Sequence, residues 1–91
     1  MYAACFEVVL GIPGAVSLKD KRSAVKSVKE RCKNRFNVSV VEVGEDGKWQ
    51  KARLGFALAA VSHTAAEQGM QAIIDFLYED DRIEVIAIER L

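Results

Sequence analysis

The sequence predicts an α+β fold with the element order βαββαβ. Three observations carry that prediction. Stretches with period-two apolar alternation occur four times, stretches with helical apolar spacing occur twice, and turn signals separate the six. At 91 residues the chain makes one domain, 1–91, with no linker or repeat. A chain this short buries only about 60–65% of its extended-chain surface, so pairing with a second copy would add useful buried area.

Tyr2 to Ile12 reads as a strand. Phe6, Val8, Leu10 and Ile12 are all apolar and face the core, whereas Cys5, Glu7, Val9 and Gly11 face away. Pro13-Gly14 ends the strand. Ser17, with Asp20 three residues on, has the spacing of a capping box and opens a helix from Leu18 to about Asn34. Leu18, Val25, Val28 and Cys32 form its apolar stripe. Lys21 falls inside that stripe, so it must run past the core or reach a carboxylate on a neighbouring element. Phe36 to Val43 reads as a second strand, in which consecutive Val40 and Val41 either put apolar groups on both faces or mark a bulge.

Gly44 to Lys48 is a hairpin turn signal, and a third strand runs from about Trp49 to Val61. Leu54, Phe56, Leu58 and Ala60 point to the core, and Trp49 caps the end of the core or anchors a partner. Ser62 or Thr64 caps a second helix, about Ala65 to Tyr78, with Ala66, Met70, Ile73, Ile74 and Leu77 inward. Ile83 to Leu91 is a last strand, apolar on both alternating sets. With right-handed crossovers this order closes as a ferredoxin-like fold: a four-stranded antiparallel sheet, the first and third strands central, both helices on one face.

Formal neutrality, thirteen basic against thirteen acidic residues, hides an asymmetry. Ser17 to Arg35 holds eight basic residues and two acidic ones, a net +6 that leaves −6 on the rest. Such a patch says more about partners than the overall charge does. Lys19, Arg22, Lys26, Lys29 and Lys33 recur at helical spacing along one flank of the apolar stripe. The topology brings the second helix's acidic exit, Glu79, Asp80 and Asp81, to the end of the domain where the first helix starts. Lys21 is therefore expected to latch structurally onto those acids, and Lys19 and Arg22 are divided between that role and partner contact. Lys26, Lys29, Lys33 and Arg35 lie beyond their reach and are the stronger contact candidates.

Catalytic constellations are not evident. His63 is the single histidine and reads as a helix-start residue, no glycine-rich phosphate loop occurs, and the turn after the first strand offers no arginine. Cys5 and Cys32 have no metal-ligand or redox spacing and read as thiols of a reducing cytosol, with no metal or cofactor implied. Met1 to Ile12 lacks a basic leader segment, and no apolar run reaches the ~20 residues of a membrane span. These features lead to the expectation of a cytoplasmic non-enzyme that is neither a membrane protein nor a sequence reader of DNA. The outward sheet residues, Cys5, Val9, Val41, Ala57, Ala59, Ile86 and Ile88, are small or apolar, which predicts a homodimer face. None is aromatic, so stacking of RNA bases on the sheet is not expected.

Ile12-Pro13-Gly14, Ser17-Leu18-Lys19-Asp20-Lys21-Arg22, Arg35-Phe36-Asn37-Val38-Ser39-Val40, Glu42-Val43, Trp49-Gln50-Lys51-Ala52, Leu54-Gly55 and Val61-Ser62 together resemble the YlxP-like family of small bacterial domains. The resemblance covers nearly the whole chain. It implies a ferredoxin-like fold and, because genes of that family often neighbour those for translation initiation and ribosome maturation, a role near RNA or a ribosomal surface. It implies no catalytic residues. Here Glu45-Asp46-Gly47 makes the hairpin longer and more acidic than the resemblance leads one to expect, and His63 replaces a more usual acidic or amide helix start. The leading expectation is RNA or ribosome association through the basic helix. The alternatives are a protein–protein adaptor and a dimeric small-ligand sensor.

Overall fold

The computed structural model describes residues 1–44 and 50–91. The expected hairpin turn and Trp49 therefore lie outside the described residues. The elements are β1 (Tyr2–Gly11), α1 (Leu18–Arg35), β2 (Ser39–Glu42), β3 (Lys51–Ala60), α2 (His63–Tyr78) and β4 (Glu84–Arg90). The strands lie in the order β2-β3-β1-β4, each pair antiparallel. This is the ferredoxin-like α+β fold that the sequence predicts.

β1 and β3 pair over ten residues, Tyr2 with Ala60 through Gly11 with Lys51. Their inward side chains make the floor of the core. Phe6 and Phe56 sit directly opposite, rings stacked at 5.0 Å and 7°. Val8, Leu10 and Leu54 are equally buried. Ser17 and Ser62 cap the helices: Asp20 N–H donates to Ser17 Oγ (3.2 Å) and Ala65 N–H to Ser62 Oγ (3.1 Å). The Asp20 carboxylate reaches back to Val16 N–H (3.1 Å), one residue before the position that a capping box serves. All five expected α2 positions are buried on the sheet.

The structure departs from the sequence reading in three places. β2 is shorter than expected because Phe36 N–H closes α1 on Cys32 O (2.8 Å) and Val38 N–H turns onto Phe36 O (3.0 Å), so those groups never join the ladder. Val40 and Val41 do put apolar groups on both faces, Val40 buried opposite Phe56 and Val41 exposed opposite Gly55. The bulge lies elsewhere. The β1–β4 register shifts between Val9 and Leu10, which leaves Ile86 unopposed: Val9 pairs with Ala87 and Leu10 with Val85. Val85 and Ile88 therefore share the helix side with Leu10 and Val8, and Ile86 falls on the outer side over Gly11. Finally, Leu18 is 39% exposed and stays outside the core stripe that Val25, Val28 and Cys32 form.

Truncating Phe6→Ala removes a fully buried ring and its stacking partner's contact. We expect a loss of about 3–5 kcal/mol in chemical denaturation, against much less for Phe6→Leu, which keeps most of the volume.

Candidate binding surface on the first helix

Helical geometry places the side chains of α1 in three sectors. With 3.6 residues per turn, Lys21, Val25, Val28 and Cys32 share the core side. Lys19, Arg22, Lys26, Lys29 and Lys33 share one flank. Asp20, Ala24, Arg31 and Arg35 share the other, which faces the end of α2. α1 packs on β2 and β3, and α2 on β1, β3 and β4. The basic flank therefore overlooks β2, an edge of the sheet.

On that flank Arg22, Lys26, Lys29 and Lys33 line a groove of about 240 Å³ together with Val25, Glu30 and Glu42. Four cations thus share one surface with two carboxylates, and Glu42 is already met by Lys21 Nζ at 3.8 Å. Lys19 is exposed on the same flank, one turn above the groove. Arg35 departs from expectation. Its guanidinium carbon lies 5.5 Å from the Phe76 ring centroid and 6.0 Å from that of Phe36, on the opposite flank. Only Lys26, Lys29 and Lys33 of the four strongest candidates come together, and Arg22 joins them.

The expected latch is also rearranged. Lys21, 4% exposed, reaches Glu42 on β2 rather than the acidic exit of α2. Of the three acids, Asp80 makes the inter-helix pair, and its partner is Arg31. Arg31 lies thirteen residues into the helix, about 20 Å from its start, and it is there that α1 meets Asp80. Glu79 and Asp81 are exposed at that turn. Asp80 also accepts from Arg82 N–H (3.0 Å) and Arg82 Nε (3.4 Å). Burial pushes its carboxyl up, but the hydrogen bonds from Arg82 and Arg31 outweigh that and hold it below the ordinary 3.8. Burial drives the neighbouring Cys32 thiol up to about 11, Arg31 countering in part, so it stays protonated in the core.

The outer sheet face carries Cys5, Val9, Ala57, Ala59, Val41 and Ile86 as expected. Ile88, expected among them, lies opposite Val8 on the helix side, because the bulge at Ile86 reverses the alternation. The face also holds an ion triad: Arg53 Nη1 lies 3.0 Å from Glu7 Oε1 and 3.5 Å from Glu89 Oε2. Gly55 is small for a reason, since a Cβ there would meet Val43 Cγ2 at 2.9 Å. Among the described residues, no group of three or more His, Cys, Asp or Glu side chains could hold a metal ion, and no helix is long and apolar enough to cross a membrane.

A family model for a protein of unknown function, DUF503, matches residues 4–90. The chain belongs to the DUF503 family. An "Uncharacterized protein YlxP" of Bacillus subtilis (strain 168) is 36% identical over 70 residues, 77% of this chain and 76% of that one. The YlxP-like resemblance read from the motifs is thereby confirmed. A de novo designed protein, Ferredog-Diesel, aligns with 97% of this chain and 84% of its own at 15% identity and a TM-score of 0.48, which carries no argument. The DUF503 chain thus brings a fold and a family, while the candidate surface rests on its own side chains. Sequence reading missed Phe76 as the neighbour of Arg35 and Phe36, 40 residues away, because nothing in its helical spacing marks it apart from the core stripe.

Asp80→Asn tests the inter-helix pair. A carboxyl held below its unfolded value contributes stability fully above that value and loses it as pH falls through the folded one. We expect D80N to cost about 1–2 kcal/mol at neutral pH and to flatten the acid limb below about pH 4 in urea melts taken across pH.

Proposed function

We propose that this DUF503 chain is a non-catalytic RNA-associating module that holds phosphates along the outer flank of α1. The observation that supports this reading is the groove lined by Arg22, Lys26, Lys29 and Lys33, with Glu30 and Glu42 as the counter-charge among the described residues. Lysine and arginine at such spacing neutralise phosphates and release their counterions, which gives sequence-independent, salt-sensitive binding. The groove is shallow and open to solvent, and its described lining is charged side chains and Val25, which fits binding of a polyanion. Family membership is compatible with this role and assigns none.

The outer sheet face is proposed as a homodimer seam. The strands, two of ten residues, one of seven and one of four, offer at ~3.3 Å rise and ~4.8 Å spacing roughly 500 Å² per copy, about 1,000 Å² in total, below the range of standard specific interfaces. With the Glu7–Arg53–Glu89 triad in its middle, such a pairing is weak and depends on concentration. Light scattering across a concentration series should show the mass rising from one chain toward two, and Ala57→Arg should hold it at one; a constant single-chain mass up to the highest concentration removes this seam.

For RNA, the measurement is affinity against salt with a labelled ribosomal RNA fragment. Four phosphate contacts predict a log–log slope of about −3 for single strands. Lys26→Glu with Lys33→Glu should weaken binding and flatten the slope to about half. Affinity that ignores salt, or survives both reversals, overturns the reading, and a protein partner retained after nuclease treatment replaces it with the adaptor.

A further inference from the structure

The end of α1 carries a second feature that the phosphate groove does not use. Lys33, Asn34 and Arg35 follow one another at about 100° steps around the last turn. They lead from the basic flank, across the solvent side, to the flank that faces α2. There Phe36 and Phe76 meet edge to face, ring centroids 5.5 Å apart and planes at 80°. Both rings are half-buried, packed against the core on one side and open on the other. With Arg31, Asn34 and Arg35 they line an open depression of about 710 Å³. Among the described residues, no acidic side chain lines it. The Arg31 guanidinium at its wall is already held by Asp80.

We infer that this depression is a base-stacking site for single-stranded RNA, with Phe36 and Phe76 as the platform and Arg35 as a movable planar cover. The inference rests on the RNA reading above and adds to it the strandedness of the ligand. Aromatic rings and arginine planes are the surfaces on which unpaired bases stack, and they tolerate any base because each has a π-face. The Arg35 guanidinium already sits over both rings, and the residue is exposed, so it lifts to admit a base between itself and Phe76. Asn34, exposed beside it, offers one carbonyl acceptor and one amide donor to a base edge. A strand whose phosphates follow Lys29 and Lys33 crosses the last turn of α1 and delivers its next bases here. The sheet cannot serve in the same way, because Phe6 and Phe56 are stacked on each other inside the core. A duplex keeps its bases paired and can use only the phosphate groove.

The test uses the full chain and two fluorescent RNAs of equal length, one unstructured and carrying 2-aminopurine near its centre, the other fully annealed to its complement as a duplex. Stacking predicts a change in 2-aminopurine emission on binding and tighter binding of the unstructured strand. Phe76→Leu and Phe36→Leu keep the apolar volume and remove the ring. Each should weaken single-strand binding roughly tenfold, leave the duplex affinity and the salt slope unchanged, and be rescued by Phe76→Tyr or Phe36→Tyr. Single-strand affinity that is equal for the Leu and Tyr variants, or emission that does not change while the strand is bound, overturns the stacking site and leaves the phosphate groove standing. Failure of the unaltered chain to bind either RNA overturns both.

Discussion

The ten-residue pairing of β1 with β3 is the constraint from which the rest of the molecule follows. It places Phe6 against Phe56 and Val8 beside Leu54, and so defines the one apolar surface broad enough to hold two helices. Both helices pack down onto it rather than chiefly onto each other. Each has to satisfy its own ends, which Ser17 and Ser62 do with their hydroxyls. The seam between the helices is then bridged by side chains at two places, Arg31 with Asp80 and Phe36 with Phe76. These two bridges decide which residues of α1 are committed to structure and which are open to a partner.

The charge of α1 is thereby sorted. Eight basic residues in one stretch invite a single explanation, yet, apart from Lys19, exposed on the first turn, they do three different things. Lys21 is buried and meets Glu42 across the helix–sheet boundary. Arg31 and Arg35 face α2, one holding a carboxylate and the other covering two rings. Arg22, Lys26, Lys29 and Lys33 are gathered on the flank over β2. Spacing along a helix separates these roles well, because three sectors of a cylinder meet three different environments.

The residues carried the fold plainly wherever a local pattern decided it. Alternation along β1 and β3, the serine caps and the apolar spacing of α2 were all readable, and so was the anomaly of a lysine inside an apolar stripe. What was not readable depended on relative placement. The bulge at Ile86 adds one residue to a strand that is apolar on both sides, so alternation gave no sign that Ile86 and Ile88 would part. Where the two helices come abreast decided that Asp80 would meet Arg31 rather than the first turn, and chain order fixes only which end of the domain an element leaves from. Of the basic flank, Lys26, Lys29 and Lys33 were legible as a set. Arg35 was misplaced because its position in the sequence run outweighed its angle around the helix axis.

The brevity of β2 has a consequence for how copies of this chain meet in solution. An open strand edge is a template on which another chain can zip, and β2 is one of the two edges of this sheet. It spans four residues, and the cations of α1 run alongside it. Two molecules approaching through β2 would bring their lysine rows within a Debye length of each other, about 8 Å at physiological ionic strength. Mutual repulsion therefore guards an edge too short to reward pairing. The cations of that flank thus oppose association through the edge beside them, so their replacement by neutral residues is expected to lower solubility.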